Sequence, residues 1–167
     1  MTTRGGATEF ARLIAACESF GQYCLIGGLA VNFYVEPVYT LDADLVMIAA
    51  VLPGLLAHLQ AEGFTLEEHP HSVNVLGPES TLRIQFTRDE RYQAFPTRSV
   101  EAEVLGVRVR VACLEDLTRG KLWAYGDRSR RLSKRKKDEL DLIRLAEAYP
   151  SLRPLYPAEL LEQIDRG

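Results

Sequence analysis

The segment from Tyr23 to Ile48, YCLIGGLAVNFYVEPVYTLDADLVMI, constrains the fold more than any other part of the chain. Tyr23 to Ile26 is a short apolar run suited to a buried strand, and Gly27-Gly28 lets the chain turn sharply into a helix over Leu29 to Val35. Pro37 stops that helix, and Tyr39-Thr40 restart an extended run that carries Asp42 and Asp44. Two residues apart on a strand, both carboxylates point to one face, while Leu41, Ala43 and Leu45 point to the other. A helix entered through glycines leaves free N–H groups at its positive end, where an anion such as a phosphate is favoured. Adjacent carboxylates repel each other unless a cation lies between them. Mg²⁺ suits that place, because it takes oxygen ligands and keeps substrate phosphates and water in its remaining positions.

The rest of the chain reads as short strands and helices. Thr8 can cap a helix with Phe10, Leu13, Ile14 and Cys17 on one face, ending near Gly21. Val51 to Glu62 reads as a further helix closed by Gly63, followed by strands over Phe64 to Glu67, Ser72 to Leu76 and Thr81 to Thr87. Glu101 to Leu105 and Val107 to Cys113 flank Gly106 and form either one bent strand or a tight hairpin. From Leu114 the pattern is helical, interrupted by charge at Asp127 to Lys137 and by Pro150, Pro154 and Pro157. With 167 residues, 47% hydrophobic and 26% charged, the chain can bury one sizeable core. The expected architecture is α+β: a small mixed sheet flanked by helices over residues 1–113, and a C-terminal helical part over 114–167 packed on it.

Two charges fall inside apolar helical stripes. At about 100° per residue, Lys121 lies amid Leu114, Leu117, Ala124 and Tyr125, and Asp138 lies between Leu145 and Tyr149. A buried charge needs a partner or a cleft. Either Lys121 and Asp138 form an inter-helix ion pair, with local alternatives Lys134–Asp138 and Lys137–Asp141, or Lys121 neutralises a nucleotide phosphate while Asp138 orients it or acts as base.

Between Arg128 and Lys137, seven of ten residues are basic, although the net charge is −3. Cations at a helix N-terminus oppose its dipole. The run is either a solvated loop and helix start or a contact for a phosphate-rich partner such as RNA. Cys17, Cys24 and Cys113 lack C-x-x-C spacing and sit among apolar residues, as reduced buried thiols of a cytoplasmic protein do. Leu45 to Ala57 is the longest apolar stretch, broken by Pro53-Gly54 and too short to span a bilayer, so no membrane partner is expected. His69-Pro70-His71 has no accompanying ligand cluster and reads as a loop. There is neither a G-x-S-x-G elbow nor a G-x-x-x-x-G-K-[ST] loop. Trp123 falls on the polar side of its helix, facing a partner or a neighbouring helix.

In the order of these motifs the chain resembles the nucleotidyltransferase superfamily, and within it the small AbiEii-type group found as the toxin half of bacterial toxin and antitoxin pairs. The signature G-[GS]-x-A, a Thr two residues before an Asp, and D-x-D is matched by Gly27, Gly28, Ala30, Thr40, Asp42 and Asp44. The group's L-x-x-x-K-L and K-D-x-x-D motifs are matched by Leu117 to Leu122 and by Lys137 to Asp141. The resemblance implies an Mg²⁺-dependent transfer of a nucleotide from an NTP to an acceptor hydroxyl, RNA being one candidate acceptor, and a cognate antitoxin as partner. It gives Asp42 and Asp44 the metal, Gly27, Gly28 and Thr40 the nucleotide, Lys121 the triphosphate charge, and Asp138 the acceptor or the nucleotide. One position departs from the pattern. Where relatives carry a third carboxylate in [RK]-h-[DE]-h-h, with h apolar, this chain has Arg83-Ile84-Gln85-Phe86-Thr87. An amide binds a hard cation weakly and takes no proton, so Asp138 or another acid such as Asp89 supplies the base, one metal suffices, or binding survives without catalysis.

Overall fold

The computed structural model describes residues 2–40, 42–79 and 82–167, residues 2–7 by backbone alone. The helix α1 (Thr2–Phe20) leads into β1 (Tyr23–Ile26), α2 (Gly27–Tyr34), β2 (Asp42–Met47) and α3 (Leu52–Ala61). β3 (Thr65–His69), β4 (Ser72–Leu76) and β5 (Arg83–Thr87) follow, then β6 (Val100–Val104) and β7 (Val107–Val111). The helices α4 (Leu114–Gly126), α5 (Leu132–Ala148) and α6 (Ala158–Arg166) complete the chain. The strands form a seven-stranded sheet in the order β3-β4-β5-β2-β1-β7-β6. β2 runs parallel to β5 and β1 to β7, and the other neighbours are antiparallel, so the sheet is mixed, as expected.

Alternation along β2 sets the two sides of the sheet. Ala43 and Leu45 are fully buried, while Asp42 and Asp44 are half-buried on the opposite side. In β5, Ile84 and Phe86 are buried and Gln85 is exposed. The register sets Asp44 beside Gln85, Gln85 beside Asn74 and Asn74 beside Glu67. One face therefore carries a polar row across four strands, and the other carries the core. Each buried Phe, Leu or Ile of that core contributes about 1.5–3 kcal/mol, and Phe10, Leu13, Leu55, Leu59, Ile84 and Phe86 are among them.

α1 packs on α3, and α2 packs on α4 and α5. Two tyrosines tie the second group to the sheet: Tyr34 donates to the Ala112 carbonyl and Tyr149 to the Tyr34 carbonyl, both at 2.7 Å. Glycine and its neighbour decide the hairpin: Leu105 and Gly106 both have positive φ, 53° and 76°, as a two-residue turn between β6 and β7 requires. The segment is thus a tight hairpin and not a bent strand.

Several boundaries differ from the sequence reading. Thr8 lies inside α1, which starts at Thr2, and does not cap it. The charged interruption is confined to residues 127–131, because Lys134 to Lys137 already belong to α5. Tyr39 and Thr40 belong to no strand, and β2 is described from Asp42. Leu41 and the strand start at Thr81 lie outside the described residues. Cys17 and Cys24 are buried, whereas Cys113 is only half-buried. Among the described residues, no helix is long and apolar enough to cross a membrane.

Candidate nucleotide and metal site

The turn from β1 into α2 is shaped around a carboxylate. Gly27 has φ +73°, and a Cβ there would lie 2.3 Å from Asp44 Oδ2, so only glycine lets Asp44 approach the helix start this closely. Gly28 is different: a Cβ would meet Thr40 Oγ1 at 3.5 Å, an ordinary contact. Ile26 at the helix N-cap supplies no side-chain hydrogen bond to the first turn of α2. The Thr40 hydroxyl accepts from the Asp42 amide at 3.2 Å and fixes the entry into β2.

Burial pushes the Asp44 carboxyl above the ordinary carboxylate range; Lys121 pulls it back and Asp42 raises it further. A carboxylate pair held in this way gains from a cation. Among the described residues, no group of three or more His, Cys, Asp or Glu side chains could hold a metal. Two carboxylate oxygens with the remaining positions left to phosphate and water suit Mg²⁺ and not a cation that needs an all-protein cage.

Across the cleft stands a second set of charges. Lys121 contacts Asp141 at 2.8 Å and Asp138 at 3.3 Å, and Arg130 contacts Asp138 at 2.8 Å. Asp141 also receives Arg144 at 2.9 Å. Burial alone would lower the Lys121 ammonium, but Asp141 and Asp138 outweigh it and hold the ammonium above its ordinary value. Lys121 therefore stays charged. Asp138 is 1% exposed and has a cation on each oxygen. A carboxylate with both oxygens already engaged holds its partners in place, which favours the orienting role over the base. The alternatives Lys134–Asp138 and Lys137–Asp141 do not form, and Lys137 instead approaches Asp42 at 3.8 Å.

The cleft has two compartments. One of about 160 Å³ is lined by Ile26, Gly27, Tyr92, Phe95, Leu117 and Ala124. The other, of about 350 Å³, is lined by Gly28, Asp42, Arg83, Lys134 and Lys137. Asp44, Gln85, Lys121, Arg130 and Asp138 border both. The structure thus gathers Gly27, Gly28, Asp42, Asp44, Lys121 and Asp138 around one space, with Thr40 just behind Gly28. Of the basic run, Arg130, Lys134 and Lys137 face that space, while Arg128, Arg131 and Lys136 are exposed elsewhere. Asp89 is no substitute acid. It caps a 3₁₀ turn through the Arg91 amide and binds the Arg91 guanidinium at 2.7 Å, outside both compartments. His69 and His71 sit at the β3–β4 turn, His69 against Glu67 at 3.0 Å.

An aromatic cluster escaped the sequence reading. Tyr92 meets Phe95 and Trp123 edge-on, each at 5.1 Å, and Phe95 stacks on Trp123 at 5.7 Å, with Arg91 4.7 Å over the indole. Trp123 therefore meets its own chain. The Tyr92 hydroxyl donates to the Gly120 carbonyl, and a Cβ at Gly120 would lie 2.8 Å from the Tyr92 ring. Tyr92 and Phe95 belong to an irregular stretch with no hydrophobic period, so only the density of aromatics hinted at them.

No protein-family model matches the sequence, and no curated protein matches it. Solved structures do. The antibiotic-resistance factor ANT(2'')-Ia is similar over 100% of both chains, with TM-score 0.59 and 16% identity. In its complex with adenylyl-2''-tobramycin the TM-score is 0.58 at 16% identity, over 90% of this chain and 98% of that one. An antigenic nucleotidyltransferase-like protein from Paracoccidioides brasiliensis gives 0.55 at 20% identity, over 88% and 78%. What these proteins share with this chain is the fold, a mixed sheet flanked by helices as in nucleotidyltransferases.

Proposed function

We propose that the chain is a nucleotidyltransferase of the AbiEii-like type, moving a nucleotide from an NTP to an acceptor hydroxyl with Mg²⁺. The observation that carries this reading is the convergence on one cleft of the Gly27 turn, Asp42, Asp44 and Lys121, which come from three separate elements. Asp42 and Asp44 would hold Mg²⁺, which supplies charge neutralisation at the transferring phosphate. The start of α2 at Gly27 and Gly28 offers N–H groups to the phosphates, with Thr40 bracing Gly28. Lys121, kept charged by Asp138 and Asp141, and the rim cations Lys134 and Lys137 meet the triphosphate. Asp138 holds Lys121 and Arg130 in place. Arg128 to Lys137 offers a phosphate-rich acceptor such as RNA a basic approach, and an antitoxin protein is the regulatory partner of this reading. Its thiols, reduced and mostly buried, suit the cytoplasm.

A second reading is favoured by one observation. Gln85 stands in register with Asp44, where a third carboxylate would complete the acid set, and neither Asp138 nor Asp89 replaces it. The chain then binds the nucleotide or a partner without turnover. Incubation with labelled NTPs, Mg²⁺ and total RNA separates the readings. Label transfer that disappears in Asp42→Ala supports the enzyme; Mg-NTP binding by calorimetry with no transfer supports the binder.

A further inference from the structure

We propose that Tyr39 is a stacking platform for the unpaired end of the RNA acceptor, holding a base near that end while the terminal hydroxyl reaches the metal on β2; this rests on the transfer reaction proposed above. Tyr39 lines neither compartment of the cleft. At 78% exposure it is the most open large apolar side chain among the described residues, and there it makes no side-chain hydrogen bond or ring contact. A single exposed ring needs no explanation by itself. What singles out Tyr39 is a backbone pinned on both sides of it. The Asn32 side chain donates to the Val38 carbonyl at 2.7 Å and accepts from the Val38 amide at 3.0 Å. Arg144 donates to the Glu36 carbonyl, Pro37 fixes its own φ, and the Thr40 hydroxyl accepts from the Asp42 amide. A ring on so fixed a backbone has only its two side-chain torsions to lose when a ligand stacks on it.

The surroundings choose the ligand. Arg144 reaches Glu36 from α5, and two turns earlier on that helix Lys137 approaches Asp42 at 3.8 Å. The loop therefore runs along α5 with Tyr39 between the two ties, separated from Asp42 by at most about 11 Å of chain. Val38 is exposed beside it, and Leu140 is exposed on α5 between Lys137 and Arg144. A protein could use such apolar surface, but the cations decide against it: Lys136 and Lys137 stand exposed on the same stretch of helix, and the centre of a protein interface is depleted in lysine. An aromatic ring set among cations suits a single strand, whose bases stack while its phosphates are neutralised. Paired bases have their faces taken up within the duplex, so the ring selects unpaired ones. The distance of about 11 Å to Asp42 corresponds to about three base steps of 3.4 Å, which brings the end of the strand to the metal.

Fluorescence anisotropy with a short RNA labelled at its 5′ end, free or paired in a blunt duplex, tests this with Mg²⁺ present. Tyr39→Ala should weaken the free strand about tenfold, the size of one stacking contact. Duplex binding should stay as in the wild type, and so should the slope of affinity against salt, because no cation is removed. Tyr39→Phe, which keeps the ring, should match the wild type. Calorimetry should find Mg-NTP affinity unchanged in both variants, since the ring lies outside the cleft compartments. Free-strand affinity that survives Tyr39→Ala, or an equal loss for the duplex, overturns the platform and leaves this surface to a protein partner. Failure of the wild type to bind the free strand overturns it as well; Mg-NTP binding retained in that same protein spares the nucleotide site, whereas loss of both overturns the underlying reading too.

Discussion

Asp42 and Asp44 on β2 and Asp138 and Asp141 on α5 face the same cleft, but only the second pair is neutralised from within the chain. Lys121, Arg130 and Arg144 reach Asp138 and Asp141 at 2.8–3.3 Å. Asp42 has Lys137 at 3.8 Å, and Asp44 has no ion pair among the described residues. The difference separates a framework from a receptor. On α5 the carboxylates are settled before any ligand arrives, and they fix two cations at the border of both compartments. On β2 the carboxylates are held together against their own repulsion, which a ligand cation would relieve.

The comparison breaks most visibly at Lys121. Lys121→Met leaves two buried carboxylates short of a cation and should cost about 3 kcal/mol, read as a lowered urea midpoint with unchanged m-value. An equal midpoint would mean that Arg130 and Arg144 suffice and that Lys121 serves the ligand alone. Next in size is the turn facing β2. Gly27→Ala must hold alanine at positive φ against Asp44 and should cost about 1–3 kcal/mol, while Gly28→Ala should stay within about 0.5 kcal/mol. Equal losses would show that the close approach of Asp44 is not what requires glycine.

Asp44 itself should show its burial in the pH dependence of stability. Its folded pKa is raised above the unfolded value, so its favourable contribution is complete below the unfolded pKa and is lost as pH rises through the folded one. Without divalent cation, Asp44→Asn should therefore unfold at the same or a higher temperature than the wild type at neutral pH. Mg²⁺ should raise the wild-type midpoint and leave the variant unmoved; stabilisation of both alike would remove Asp44 from the metal site. The smallest effect belongs to the rim. Lys137→Ala should change stability by less than about 0.5 kcal/mol but weaken Mg-NTP binding, more at low salt than at high salt, in the same calorimetric cell.

Much of this arrangement was legible beforehand because it depends on periodicity. The two-residue spacing put Asp42 and Asp44 on one face, and the 100° step turned Lys121 and Asp138 inward, as their 8% and 1% exposure bears out. The mixed sheet followed from short strands with different connections. What stayed hidden depends on contacts between distant segments. Asp141 and Arg130 gained their meaning only when α4 folded back on α5, and the aromatic cluster only when the irregular stretch around Tyr92 reached Trp123. Helix starts were misread where a residue of capping type lies inside the helix, as at Thr8, and where a basic run looked like a break but continued as a helix from Leu132. The register of Gln85 beside Asp44 was readable as a departure from a pattern, but not as an amide at the border of two compartments.

Trp123 is the only tryptophan in the chain, and it lies against Phe95 and Tyr92, two walls of the smaller compartment, with a guanidinium over its ring. The molecule thus carries its own optical probe, one ring away from the space where a ligand would settle. Excitation of the indole in unmodified protein would register arrival in that compartment as a change in emission. Occupancy of that half of the cleft can therefore be followed in real time, without a label.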